Sequence, residues 1–213
     1  VDPLDGTRNF SRGIPHFAFT IALCHAGQPV VALTLHPLLG DEFTAVRGEG
    51  ARLNGQPMSV SAVGRIVDAI VGIDLGYDAG RGAAQLQIAA RLWPGLEAIR
   101  VAGSAALGFA FVAAGRFDLF VHANLQPWDS AAGILLVQEA GGTVTGPSGT
   151  AATLGDECLV AATPQGVSAG FFCPKARRSV ACDRGTQEPV SKSATYARVR
   201  KPSGHPTTQS CFT

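Results

Sequence analysis

Two acidic segments that lie far apart in the sequence constrain the fold of this chain most strongly. In chain order they are Asp2-Pro3-Leu4-Asp5-Gly6-Thr7 and Trp128-Asp129-Ser130. Carboxylate and carbonyl oxygens are the ligands that a hard cation such as Mg²⁺ prefers. Pro3 limits the backbone between the first two carboxylates, and Gly6 permits a tight turn beside a phosphate. Asp129 lies 124 residues after Asp5, so only a fold that unites both segments creates one site for metal and phosphate.

The composition divides the chain into two parts. Of its 213 residues, 46% are hydrophobic and 15% are charged, which is typical of a globular protein of one or two domains. Residues 1–170 carry 9 Lys and Arg against 14 Asp and Glu, whereas residues 171–213 carry 8 against 2. We therefore predict a catalytic region over 1–170 and a basic tail over 171–213 that is disordered or non-native sequence. A basic arm for nucleic acid is the alternative for the tail.

Cysteine usage and hydropathy predict a protein of a reducing compartment. Cys24 and Cys158 lie in strand-like runs, where buried free thiols are expected. No Cys and His spacing of the metal-binding type occurs in the sequence, so we expect neither a disulfide framework nor a zinc site. No apolar run approaches the roughly 18–20 residues that cross a bilayer, so we expect a cytoplasmic protein without a membrane partner.

The order of strand-like and helix-like patterns predicts a layered α/β (α+β) fold. The first third should be a mostly antiparallel sheet, with an Asn54-Gly55 hairpin turn. Its strands, and those further along the chain, are predicted at 17–26, 30–36, 42–46, 58–60, 69–73, 99–102, 117–121, 143–145 and 159–162. Apolar spacing and caps predict helices at 83–93, 104–114 and 128–140. Such alternation places helices in layers on sheets.

The two acidic segments, with Asn9-Phe10 after the first and Glu139-Ala140-Gly141-Gly142 after the second, resemble the signatures of the inositol monophosphatase family. Members of this family are Mg²⁺-dependent, lithium-sensitive phosphomonoesterases. The resemblance runs from Val1 to about Gly166. It implies the family's alternating helix and sheet layers, here without the N-terminal helices. It also implies a cytoplasmic enzyme that is a homodimer when complete.

The resemblance assigns metal ligands in both segments. The carboxylates of Asp2, Asp5 and Asp129 and the main-chain carbonyl of Leu4 would hold two or three Mg²⁺ ions. The residues agree with this assignment, because Leu4 lies between two carboxylates. We expect Asp129 to cap the first turn of its helix as well as to reach the shared metals.

Catalysis and phosphate binding are assigned to the first segment. Asp2 and Thr7 are the expected catalytic residues, since the family residue that matches Thr7 positions and deprotonates the nucleophilic water. The N–H groups of Gly6 and Thr7 would bind the phosphate. The implied reaction is direct attack of water on a phosphate monoester, without a covalent phosphoenzyme.

Substrate contacts are assigned to two further places. Gly103-Ser104-Ala105 matches the family turn that contacts hydroxyl groups of the substrate. His122 stands seven residues before Asp129, where animal inositol phosphatases carry a Glu that binds the ring. A neutral imidazole can also hydrogen-bond a hydroxyl. A surface His at a strand end is an equally open interpretation, so inositol specificity is in question while phosphomonoesterase chemistry is not.

The family pattern also includes groups that precede the first segment, namely a metal-binding Glu and an acidic partner of the catalytic Thr. Val1 is the only residue ahead of Asp2, so we interpret the chain as an N-terminally truncated member whose first segment is a loop at a free N-terminus. We expect such a chain to be a weak phosphatase or an inactive one.

The predicted function is Mg²⁺-dependent hydrolysis of a small polyol or sugar phosphate, with inositol-1-phosphate the first candidate. Fructose-1,6-bisphosphate, histidinol phosphate and 3′-phosphoadenosine-type nucleotides are alternatives. Histidinol phosphate ranks lower because residues 102–107 lack the aromatic side chains associated with that branch. A non-catalytic remnant with protein or RNA contacts is the alternative of another class, supported only by the basic tail. Salt-sensitive RNA binding without phosphate release would favour it.

Overall fold

A six-stranded antiparallel sheet forms from the first third of the chain, with its strands in sequence order. The strands are β1 (Asp2–Asp5), β2 (Ala18–His25), β3 (Gln28–His36), β4 (Asp41–Val46), β5 (Gly50–Leu53) and β6 (Gln56–Met58). Asn54 and Gly55 both have positive φ angles, 50° and 78°, as a two-residue hairpin turn of this kind requires. The predicted antiparallel sheet and its Asn-Gly hairpin are confirmed. This computed structural model describes residues 1–146 and 148–164, so the predicted basic tail lies outside the described residues.

The first acidic segment is a strand, and the prediction that it is a loop was wrong. β1 pairs with β2 in antiparallel register, Asp2 opposite Thr20 and Asp5 opposite Ala18, with a shift of register between the two pairs. Pro3 is tolerated there because β1 is an edge strand, where a missing N–H leaves no central hydrogen bond unmade. The sheet therefore holds both carboxylates of the segment in place.

A second, five-stranded sheet forms from the remaining strands, in the order β10-β11-β9-β7-β8. They are β7 (Ile70–Asp74), β8 (Ala98–Val101), β9 (Leu119–Ala123), β10 (Thr143–Thr145) and β11 (Cys158–Ala162). β7 is parallel to both β8 and β9, and Asp74 lies beside His122 in the register. The carboxyl ends of these parallel strands meet at one edge, which is where open α/β sheets bind ligands.

Helices separate the two sheets and cover one of them. They are α1 (Thr7–Ser11), α2 (Ala79–Leu92), α3 (Ala105–Ala113) and α4 (Pro127–Glu139), with a 3-10 turn at Ile66–Asp68. α3 and α4 pack against each other and against strands of both sheets, whereas α2 packs on β7 and β9. The layers are therefore sheet, helix pair, sheet and helix, as the predicted fold class requires.

Some local predictions differ from the structure. The strand predicted at 58–60 lies two residues earlier, at Gln56–Met58. α2 begins four residues before the predicted start, because Asp78 caps it by accepting a hydrogen bond from the Arg81 N–H at 2.7 Å. The prediction of a buried thiol at Cys24 was wrong: Cys24 is exposed, and Cys158 is half-buried. Cys24 lies near the end of β2, whose buried residues, Ala18 and Thr20, are at its start. Across the described ranges, no helix combines the length and the apolar character that crossing a bilayer demands.

Candidate metal and phosphate site

Three carboxylates from the two acidic segments meet in the structure. One oxygen each of Asp2, Asp5 and Asp129 lies within 4.8 Å of the other two. β1 supplies the first two groups, and the first turn of α4 supplies the third. Asp129 is the third residue of α4 and not its N-cap, which is Gln126. Its carboxylate nevertheless accepts the Gln126 N–H at 2.8 Å, so the cap contact orients it toward β1.

The Asp5 carboxylate is the most enclosed of the three. The Ser104 hydroxyl and the Ala106 N–H both donate to its Oδ2, the latter at 2.9 Å. Burial raises the pKa of Asp5 to about 6, and the charges of Asp2 and Asp129 act in the same direction against the two hydrogen bonds. Burial and the neighbouring Asp2 also raise the pKa of Asp129.

This donor set fits a hard divalent cation. Three crowded carboxylates repel one another unless positive charge lies between them, and oxygen ligands favour Mg²⁺. None of the three forms an ion pair with Lys or Arg in the described part of the chain. A bound cation is therefore the group whose charge would balance the cluster.

The end of the first segment forms a tight corner beside the carboxylates. Gly6 has a φ of 84°, and a side chain there would place its Cβ 3.0 Å from the His16 carbonyl and 3.2 Å from the Gly103 carbonyl. Only glycine fits such a position. The Thr7 hydroxyl donates to the Leu4 carbonyl at 2.9 Å, so two residues that were predicted to act on water and metal contact each other.

Asn9 fastens this corner to the loop that follows β8. Its side-chain amide donates to the His16 carbonyl at 2.7 Å and to the Ala102 carbonyl at 2.8 Å. In the sequence Asn9 stands out only as part of a motif, and the structure shows that it joins two loops.

A cavity of about 310 Å³ opens next to the carboxylates. Eleven residues line it: Asp2, Leu4, Asp5, Gly6, Thr7, Tyr77, His122, Asn124, Gln126, Trp128 and Asp129. All of the residues predicted for metal, phosphate and catalysis are therefore in one place. The volume lies at the lower end of the range for small-ligand pockets.

Of the residues predicted to contact substrate, one lines the cavity and three do not. His122 lines the cavity, is 7% exposed, and burial lowers its pKa to about 4, so it is neutral at physiological pH. Its Nδ1 has no hydrogen-bond partner among the described residues. Gly103, Ser104 and Ala105 are not among the lining residues. Ser104 is 1% exposed and donates to Asp5, so the structure shows it supporting a carboxylate where a substrate contact was predicted.

Four lining residues were not predicted as site residues from the sequence: Gln126 and Trp128 at the start of α4, and Tyr77 and Asn124. Tyr77 follows β7 and Asn124 follows β9, and Asn124 has a φ of 108°, which is rare for a residue with a side chain. The signal that could have found them is their place directly after strands of a parallel sheet. The guanidinium of Arg8 lies 4.3 Å from the Tyr77 ring centre, which holds that ring at the mouth of the cavity.

The raised pKa of Asp5 gives a prediction for the metal-free protein. The ordinary pKa is 3.8 and the folded value is about 6, so the folded chain binds more protons between these pH values. Charged Asp5 therefore lowers the free energy of unfolding, fully above about pH 6 and not at all below about pH 4. With a chelator present, Asp5→Asn is expected to unfold at a higher temperature than the wild type at pH 7.5. Thermal unfolding should show this difference shrink toward pH 4; a difference that does not change with pH would contradict the assignment.

Comparisons with known proteins agree with this geometry. A family model described as "Inositol monophosphatase family" matches residues 1–181. The chain is 44% identical over 151 residues to an inositol-1-monophosphatase of Rhizobium meliloti, covering 70% of this chain and 56% of that protein. It is 41% identical over 170 residues to the Nus factor SuhB of Escherichia coli, covering 79% and 64%.

Solved structures show the same likeness. The suhB extragenic suppressor protein of Bartonella henselae superposes with a TM-score of 0.74 at 42% identity, covering 78% of this chain and 64% of that one. An IMPase of Thermotoga maritima gives a TM-score of 0.72 at 34% identity, with coverage of 78% and 64%. The chain thus spans 56–64% of the length of these four proteins.

Proposed function

The chain belongs to the inositol monophosphatase family, and from that premise we propose that its cavity hydrolyses a phosphate monoester with Mg²⁺ as cofactor. One observation carries the proposal above all others. Asp2, Asp5 and Asp129 have oxygens within 4.8 Å of one another although Asp129 is 124 residues from Asp5. Such a cluster destabilises the fold unless it binds a cation. Destabilising arrangements of this kind are expected at functional sites, where the reaction needs them.

Each residue of the site has a proposed part. The carboxylates of Asp2, Asp5 and Asp129, with the Leu4 carbonyl, would hold Mg²⁺. When bound, Mg²⁺ supplies positive charge for the phosphate oxygens and lowers the pKa of the attacking water. The Thr7 hydroxyl donates a hydrogen bond to the Leu4 carbonyl, so the lone pairs of the Thr7 oxygen can accept a hydrogen bond from that water and orient it.

The alcohol half of the ester would lie against His122. The His122 ring lines the cavity and is neutral, so it gives no attraction to a second phosphate. The cavity volume of about 310 Å³ also suits a small polyol phosphate. Inositol-1-phosphate is the substrate we propose first, and the name of the Rhizobium relative supports this choice.

Phosphate release from a panel of esters tests the proposal. We expect release from inositol-1-phosphate in millimolar Mg²⁺ to exceed release from fructose-1,6-bisphosphate, histidinol phosphate and 3′-phosphoadenosine nucleotides. Chelation of the metal should abolish all of it. Turnover that persists without a divalent cation would refute the proposed chemistry, whereas preference for another ester would refute only the proposed substrate.

Relatives named Nus factor SuhB match the chain at 41–43% identity, close to the 44% of the Rhizobium phosphatase. Sequence identity therefore does not distinguish the phosphatase relatives from the Nus factor relatives. The carboxylate cluster favours hydrolysis, because it has a direct use in that reaction and none in a purely structural contact.

A further inference from the structure

The loop between β8 and α3 connects two parts of the molecule that are distant in sequence. On one side, the Gly103 N–H donates to Oδ1 of Asp74 at 2.6 Å. On the other side, the Ser104 hydroxyl donates to Oδ2 of Asp5, which also accepts the Ala106 N–H at 2.9 Å. Both of these bonds fall on Oδ2 of Asp5, which leaves its Oδ1 for a cation. The loop therefore transmits the position of Asp74 to a proposed metal ligand.

Asp74 itself is one step removed from the cavity. It ends β7, is 3% exposed, and is not among the residues that line the cavity. Burial raises its pKa to about 6, while the N–H groups of Gly103, Ala102 and Ser104 favour its charged form. A buried carboxyl is costly unless it is hydrogen-bonded. Among the described residues, Oδ2 of Asp74 has no hydrogen-bond partner, whereas Oδ1 accepts the Gly103 N–H.

The backbone at Gly103 leaves little room for movement, so its hydrogen bond to Asp74 matters for the position of the loop. Its φ is 82°, and its Cβ position would be 3.1 Å from the Asn9 side-chain nitrogen, so the loop backbone passes very close to the first acidic segment. A small displacement of Gly103 would move Ser104, and with it the hydrogen bond that orients Asp5.

We propose that Asp74 is a positioning residue for the metal site: it holds the Gly103 N–H so that Ser104 and Ala106 orient the Asp5 carboxylate toward Asp2 and Asp129. This inference rests on the proposed function of the cavity and adds a residue that touches neither the metal nor the substrate. Groups that hydrogen-bond directly to a metal ligand commonly change metal affinity 10- to 100-fold when they are removed, and Asp74 acts on such groups, so we expect an effect at the lower end of that range.

Asp118 offers a matched control within the same sheet. It is 5% exposed, accepts the Ile70 N–H at 2.7 Å and is hydrogen-bonded by the Ser61 hydroxyl. Asp118 precedes β9, and Ile70 begins β7, so this carboxylate lies at the opposite end of these strands from Asp74 and His122. Removing either carboxylate removes a buried hydrogen-bond acceptor from the sheet. Of the two, Asp74 is the one that is connected to Asp5, through Gly103 and Ser104.

The experiment compares Asp74→Ala and Asp74→Asn with Asp118→Ala and Asp118→Asn in the full chain. Direct titration with Mn²⁺, followed by electron paramagnetic resonance, gives metal affinity without any need for turnover. We expect Asp74→Ala to weaken Mn²⁺ binding about 10-fold. The isosteric Asp74→Asn retains an acceptor for Gly103 but turns an NH₂ donor toward the neighbouring N–H groups, so we expect about a 3-fold loss. Both Asp118 variants should stay within about twofold of the wild type, although their melting temperatures fall.

Kinetics and a double variant separate positioning from general loosening of the fold. At saturating Mg²⁺, the substrate KM of Asp74→Asn should remain within about twofold of wild type. In a Ser104→Ala background, Asp74→Asn should cause a smaller further loss of Mn²⁺ affinity than in the wild type, because the loop then holds Asp5 only through the Ala106 N–H. Equal Mn²⁺ affinities for the Asp74 and Asp118 variants, or fully additive losses with Ser104→Ala, would overturn the inference. A wild-type chain that does not bind Mn²⁺ at the carboxylate cluster would instead overturn the proposed function.

Discussion

Replacing Asp5 by Asn is expected to reduce Mg²⁺-dependent phosphate release by about three orders of magnitude while the chain stays folded. The carboxylate shares a cluster with Asp2 and Asp129 whose oxygens lie within 4.8 Å of one another. Metal-ion catalysis contributes several kcal/mol of charge stabilisation in the transition state. A loss of about 4 kcal/mol corresponds to roughly a thousandfold in rate. The amide keeps the shape of the side chain and an acceptor for Ser104 and Ala106, so steady-state phosphate release is the quantity that should change.

A charge-matched variant controls for the loss of one negative charge. Asp68 is exposed and pairs with Arg65 at 2.7 Å on the 3-10 turn, and it is not among the residues that line the cavity. Asp68→Asn should leave the rate within about twofold of wild type, since surface pairs contribute little. Near-normal turnover in Asp5→Asn would show that Asp5 is not a metal ligand.

Replacing Gly133 by Ala is expected to cost about 3 kcal/mol of folding free energy, at the upper end of the range for overpacked cores. A Cβ at this position on α4 would lie 2.5 Å from both Cβ and Cγ of Phe109 on α3. Phe109 is fully buried, and its ring packs edge-on to that of Phe120 at 5.2 Å. Rotation of the ring cannot relieve a clash with its own Cβ, so the two helices would have to separate. Since α4 carries Asp129, metal affinity should fall with stability.

Gly80→Ala provides the matched control for this substitution. Gly80 lies in the exposed first turn of α2, and the atom nearest to the position that the new methyl group would take is an Asp78 carboxylate oxygen at 3.4 Å. Alanine there should raise the free energy of unfolding by up to about 1 kcal/mol through helix propensity. Chemical denaturation measures both variants; a Gly133→Ala free energy within a few tenths of wild type would contradict the close packing of α3 and α4.

The elements that the sequence predicted well are those with a strong local signal. Ser104 caps α3 by accepting the Leu107 N–H, and the Asn54-Gly55 turn closes its hairpin, because both depend on a few neighbouring residues. β1 was missed because Asp, Pro and Asp have low strand propensity, and only pairing with β2 makes the segment a strand. The early start of α2 was missed because Gly80 and Gly82 weaken the helical pattern that the Asp78 cap restores.

In the candidate site, too, the residues with a local sequence signal could be predicted, whereas the long-range contacts could not. Asp2, Asp5 and Asp129 could be named from their motifs, since carboxylates next to turn-forming residues suggest a metal site without any tertiary information. The second contact of Ser104, with Asp5 across 99 residues, and the link from Asp74 to Gly103 depend on how β7, β8 and α3 pack. Such long-range contacts leave no periodicity or spacing in the sequence, so only the fold could show them.

The central claim is that the three carboxylates hold a divalent cation, and anomalous X-ray diffraction tests it most directly. Crystals of the chain grown with Mn²⁺ would be measured near the manganese absorption edge. We predict an anomalous peak within about 2.3 Å of carboxylate oxygens of Asp2, Asp5 and Asp129, and no such peak in crystals of Asp5→Asn at the same Mn²⁺ concentration. Anomalous peaks found only at other acidic residues, with the cluster empty in the wild-type protein at saturating Mn²⁺, would contradict the claim.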